Sequence, residues 1–169
     1  VWIVPLWLAL NSEYGNTIAR YYVEEALDQG FHVVGIDVGT TCGSPKGADV
    51  FQDFYEFLVD DNGYDLEPNG ARIIGVSNGG LITYSWAFRN PQYVDRIFGI
   101  YPALDFTTWP GLAQVITFPP AGLSYNLTLQ ELTDNITDYN PIDNLLPLAS
   151  ANVPIYHIHG DRSEEHTSE

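Results

Sequence analysis

Ala71-Arg72-Ile73-Ile74-Gly75-Val76-Ser77-Asn78-Gly79-Gly80-Leu81-Ile82 is the stretch whose reading decides the fold. A β-branched apolar run enters Gly-x-Ser-x-Gly directly, and an amphipathic segment follows. That is the sequence form of a strand, a sharp turn carrying a serine, and a helix: a nucleophile elbow. Such a turn strains the backbone at its serine and needs small residues two positions away on either side. Gly75 and Gly79 meet that need, and Gly80 leaves room for the helix to approach the sheet. Ser77 is then expected at the positive end of the helix, where developing negative charge is favoured. The backbone N–H of Asn78 is expected as one oxyanion-hole donor. A glycine-rich turn that only caps a helix shares the pattern, but the flanking strand and helix are the context the motif requires. Ser77 is the candidate nucleophile.

Outward from the elbow, strand-like and helix-like segments alternate. Val1 to Val4 reads as a buried strand closed by Pro5. Asn11, Ser12 and Asn16 are N-cap candidates for a helix carrying Ile18, Tyr22 and Ala26 on one face, stopped by Gly30. Phe31 to Asp37 is almost continuously apolar, as strands covered on both faces are. Val50, Phe54, Phe57 and Leu58 recur at helical spacing. The elbow helix uses Leu81, Tyr84 and Phe88 and is expected to end near Asn90-Pro91. Ile97 to Tyr101 and Val153 to His159 are two further strands. Between them, residues 105–144 break the rhythm, rich in Pro, Gly, Thr and Asn with one short helical pattern near Leu129 to Ile136. That span reads as a lid-like insertion over the site.

Short alternation favours an α/β fold, a mostly parallel sheet with helices on both faces. Ligands of such sheets bind beyond the carboxyl ends of the strands. Those ends carry Pro5-Leu6-Trp7, Asp37, Ser77, Tyr101 to Asp105, and Asp161. Their convergence supports a catalytic Ser77 independently of the motif.

Composition narrows the function classes. The 169 residues suit one domain with a real core, and 45% hydrophobic with 14% aromatic content excludes a disordered chain. No apolar run approaches the ~20 residues that span a bilayer. Twenty-two acidic against 6 basic residues give a net charge of −16, which repels nucleic acid and anionic membranes. Such a surface fits a secreted, periplasmic or salt-adapted protein. One cysteine, Cys42, excludes an internal disulfide, and without a second thiol or clustered histidines it makes a zinc or redox role unlikely. Asn126-Leu127-Thr128 and Asn135-Ile136-Thr137 match the glycosylation acceptor pattern. No pattern calls for a metal ion or an organic cofactor.

Both ends are unusual. The chain has no methionine and begins inside a strand-like run, so any signal peptide would lie upstream of Val1. Residues 162–169, Arg162 to Glu169, resemble the conceptual translation of a DNA-sequencing adapter and are left out of the fold argument. Removing their one Arg and three Glu takes the charge from −16 to −14, still strongly acidic.

With these residues in view, the chain resembles the α/β-hydrolase superfamily, most of all its bacterial esterase and prolyl-oligopeptidase-like branch. Gly75 to Gly80, Gly43-Ser44-Pro45-Lys46, Asn140 to Leu145, Asn90-Pro91 and His159-Gly160-Asp161 carry the resemblance, which runs over nearly all of residues 1–161. It implies a partial hydrolase domain there, with two family strands before Val1 and a C-terminal part beyond the chain. It also implies a Ser-His-Asp triad working through an acyl-enzyme, in the chain order Ser, acid, His. Ser77 matches the nucleophile. The family's acid, in a Gly-x-x-Asp pattern, would fall at position 163, where Ser163 stands inside the adapter-like tail. The histidine lies further downstream, so this chain is expected to be close to inactive as written.

Weaker candidates surround that core. Asp105, after the strand that follows the elbow, is an alternative acid or else a turn residue. Asp161 is another, more simply a turn cap. His157 and His159 alternate on the last strand, so at least one is expected to be packed, and His32 is expected as a packed histidine. The second oxyanion donor is expected at Leu6 or Trp7. Trp7, Tyr101 and Trp109 are candidates for an acyl or sugar pocket, although aromatics at this density are more often core.

The expected activity is hydrolysis of a carboxylic ester, with a small-molecule ester or acylated carbohydrate as substrate. The alternatives are a prolyl-oligopeptidase-like peptidase and a non-catalytic binding module on the same scaffold. Neither nucleic acid nor a membrane span is expected, and the oligomeric state is left open.

Overall fold

The structure is a computed structural model that describes residues 2–4, 19–59, 64, 66 and 70–160. Strands β1 (Trp2–Val4), β2 (Ala71–Val76), β3 (Val94–Ile100) and β4 (Ile155–Ile158) form one sheet in that order. Every neighbouring pair is parallel, with Ile3 opposite Ile74, Gly75 opposite Gly99, and Gly99 opposite His157. Parallel neighbours need crossovers. The helices supply them: α1 (Ala19–Asp28), α2 (Pro45–Val59), α3 (Gly79–Arg89), and α4 to α7 (Leu112–Thr117, Leu129–Asp134, Ile136–Tyr139, Leu146–Ser150). The chain is therefore α/β with a parallel sheet.

Successive strand residues point to opposite faces, and β3 shows helices on both. The Phe98 ring meets Tyr22 of α1 edge-on, centroids 6.4 Å apart. On the other face, a Cβ on Gly99 would lie 2.7 Å from the His157 ring, whose Nε2 meets Tyr84 of α3.

Local signals explain the helix ends. Helix α1 closes in a Schellman motif: Phe31 N–H donates to Ala26, Gly30 N–H donates to Leu27, and Gly30 has φ +79°. Helix α2 starts from Gly43-Ser44-Pro45. The Ser44 hydroxyl accepts from Gly47 N–H at 3.0 Å, and Pro45 stands where no N–H is needed. Asn90 ends α3, its N–H and its side-chain amide both donating to Trp86 O.

Three expectations about elements change. Phe31 to Asp37 is not a strand; only Val34 forms an isolated bridge. Apolar β-branched composition favours extended backbone, but a strand exists only where a neighbour completes the ladder. On α2 the buried face is Phe51, Tyr55 and Leu58, with Phe57 exposed, because Tyr55 packs on Trp86 of α3 with centroids 5.8 Å apart. Helix α3 is not amphipathic: every residue from Gly79 to Ala87 is buried.

The segment 105–144 explains that last difference. Its residues Phe106, Val115, Tyr125 and Leu132 form a second cluster with Cys42 and Leu81, covering the side of α3 turned from the main core. Ser44 donates its hydroxyl to Leu123 O, and Tyr125 donates its own to Cys42 O at 2.9 Å. A helix packed on all sides must be apolar on all sides. The segment expected to carry one short helical pattern instead holds α4, α5 and α6, with α5 started by a Thr128–Glu131 capping box.

Candidate functional site

Ser77 sits between β2 and α3 with φ +51°. This left-handed conformation costs an L-residue roughly 1–2 kcal/mol, so its neighbours must hold it. Ser77 N–H donates to Ile100 O at 3.1 Å, and Ser77 O accepts from Gly80 N–H at 2.9 Å and Ala103 N–H at 2.8 Å. Close approach does the rest. A Cβ on Gly75 would lie 2.9 Å from Thr83 Oγ1, and one on Gly80 would lie 2.5 Å from Ala103 O. Serine, small neighbours and helix entry thus form a close-packed strand–turn–helix.

Asn78 follows in helical conformation, φ −54° and ψ −28°, as the N-cap of α3. Its backbone N–H carries no hydrogen bond among the described residues and lies at the positive end of an 11-residue helix. Its side chain is fully buried, yet neither Oδ1 nor Nδ2 has a hydrogen-bond partner among the described residues. Nothing in the sequence signalled that orphaned amide. Leu6 and Trp7, the candidates for the second donor and part of the pocket, lie outside the described residues, as does Asp161.

Asp105 follows Ser77's contact residue Ala103 by two positions. Its carboxylate accepts from Thr107 N–H and Thr107 Oγ1, both 2.8 Å, from Thr108 Oγ1 at 3.1 Å, and from Asn140 Nδ2 at 3.1 Å. Partial burial pushes its carboxyl up, but the bonds from Thr107, Asn140 and Thr108 outweigh that and hold it below the ordinary value. Buried Asn140 also accepts from Phe106 N–H at 3.0 Å and donates to Asp143. The Asn140 to Leu145 motif is therefore a staple on the loop that follows β3. Asp105 has the partners of a turn residue, and none of them is a histidine.

Tyr101 and Trp109 are both exposed, Tyr101 with φ +35° and Trp109 N–H donating to Asp105 O. They share the loop after β3, but no hydrogen bond joins either to the Ser77 side chain among the described residues. No histidine there hydrogen-bonds Ser77 Oγ.

The histidines differ from expectation. His32, His157 and His159 are all exposed, as is every residue of β4. His157 is nonetheless anchored on one side, its Nε2 2.6 Å from Tyr84 Oη. Burial, and then the nearby His159, hold its imidazole below the ordinary value. Cys42 is fully buried, and that burial pushes its thiol up to about 12, so it is no nucleophile at neutral pH. Among the described residues no three or more His, Cys, Asp or Glu converge as a metal site, and no helix is long and apolar enough to cross a membrane. No family model, curated protein or solved structure matches the chain.

Proposed function

We propose that this chain carries the nucleophile of a serine hydrolase of α/β-hydrolase type, cleaving a carboxylic ester through an acyl-enzyme on Ser77. One observation carries the reading: a serine held at φ +51° between a parallel strand and the N-terminus of a buried helix. A residue kept in a costly conformation by Ile100, Gly80 and Ala103 has that cost offset by the whole surrounding fold. For a capping serine no such strain is required, since caps adopt ordinary extended backbone.

In this reading Ser77 Oγ attacks the acyl carbon while a general base removes its proton. The carbonyl oxygen gains the electron pair and accepts from Asn78 N–H, helped by the α3 dipole. Collapse expels the alcohol, protonated by the same base, and water then releases the acid. Base and triad acid come from outside the described residues. Asp105 stays a turn residue, and the ester or acylated-carbohydrate substrate lies beyond the strand ends.

The test is fluorophosphonate labelling of the product of the full reading frame. An adduct on Ser77, absent from a folded Ser77→Ala variant, is expected. A folded protein that takes no label is a binding module on a hydrolase-like scaffold, and the proposal fails. Faster turnover of aryl esters than of matched aryl amides is expected, and the reverse would make it a peptidase.

A further inference from the structure

We propose that His157 and His159 form a two-imidazole chelate for a borderline first-row divalent cation, Zn²⁺ or Cu²⁺, with water completing the coordination. This site is separate from Ser77 and does not rest on the hydrolase reading.

Residues two apart on extended chain share a face, and the two rings lie with centroids 5.5 Å apart at 72°. Two imidazoles on one tetrahedral ion, each with a metal–nitrogen bond of about 2.1 Å, have centroids about 5.3 Å apart. The pair already stands at chelating distance.

His157 is also held in place. Its ring lies over Gly99, where a Cβ would come within 2.7 Å of Cδ2, and Nε2 is 2.6 Å from the buried Tyr84 Oη. A metal on Nδ1 selects the tautomer in which Nε2 carries the hydrogen and donates it to the tyrosine oxygen. A metal-binding histidine usually has its other ring nitrogen fixed in this way by a second residue. Both imidazoles are exposed, so water reaches the remaining coordination positions. Imidazole suits copper and zinc, and a net charge of −16 draws cations toward the surface.

The chain has four histidines, so a background with His32→Gln and His166→Gln leaves only this pair. Titration of that 169-residue chain with Cu²⁺ by calorimetry is expected to show one ion per chain. Electron paramagnetic resonance of the complex is expected to show two coordinated nitrogens. His159→Gln, at an exposed position, is expected to weaken binding by about tenfold or more and leave one nitrogen. Tyr84→Phe is expected to weaken it about tenfold while the fold persists by circular dichroism. Zn²⁺ is expected to raise the thermal midpoint of the background chain but not of His159→Gln. Equal affinity in the background and His159→Gln chains would overturn the proposal. So would an unchanged affinity in Tyr84→Phe, which would mark two unsupported surface histidines.

Discussion

Ala103 donates its backbone N–H to the carbonyl of Ser77 at 2.8 Å, tying the loop after β3 to the residue that stands at φ +51° after β2. Strain at Ser77 and order in the neighbouring loop are therefore one feature.

That strain predicts an inverted stability order. Glycine usually lies below alanine by ~0.4–1 kcal/mol through the unfolded chain. At a left-handed position alanine carries a further cost of ~1–2 kcal/mol. Ser77→Gly is therefore expected to be at least as stable as Ser77→Ala, by up to ~1.6 kcal/mol, in urea unfolding. An alanine variant clearly more stable than glycine would remove strain from the account.

Gly80→Ala sets helix propensity against close approach. Alanine is favoured by ~1 kcal/mol in a helix, but its Cβ would lie 2.5 Å from Ala103 O and 2.7 Å from Pro102 Cβ. Overpacking against backbone costs ~1–3 kcal/mol, so the clash wins. A net loss of up to ~2 kcal/mol is expected, with loss of fluorophosphonate labelling at Ser77. A stability gain would show that the loop yields.

Asn78→Leu tests the orphaned amide. A buried polar group without a partner costs ~1–3 kcal/mol, and leucine keeps the branch at Cγ and the backbone N–H. The variant is expected to unfold at higher urea, by ~1 kcal/mol. A drop of that size would mean that the amide has a partner after all.

Asp105 predicts an acid-dependent effect. Its folded-state value is lowered, so its contribution is present above the unfolded carboxyl value, about pH 4, and lost as pH falls through the lowered value. Asp105→Asn is expected to be less stable than wild type at pH 7 and to converge with it once the pH has fallen below that lowered value. On the proposed reading Asp105 is a turn residue, so fluorophosphonate labelling at pH 7 is expected to persist in the folded variant. Abolished labelling would restore it as the triad acid.

Much of the site's framework was legible in sequence. Val76-Ser77-Asn78-Gly79-Gly80 marks its own turn, since only small residues tolerate the approaches measured at Gly75 and Gly80. Gly30, Ser44 and Asn90 mark helix ends because capping is decided within a few residues. The apolar runs at 71–76 and 94–100 carry their strand identity for the same local reason.

Only the tertiary structure decided the rest. Phe31 to Asp37 has the composition of a strand, but among the described residues it forms no ladder beyond the single bridge at Val34. Helix α3 is buried all round because Phe106, Val115 and Leu132 fold onto Leu81 from more than 20 residues away. Asp105 is engaged by Asn140, 35 residues on, and Tyr84 meets His157 across 73. Backbone propensity and capping act over a few residues, so the sequence by itself determined the strand, turn and helix around Ser77. Burial, pairing and side-chain partners depend on segments that meet only when the chain folds, so those were left to the tertiary structure.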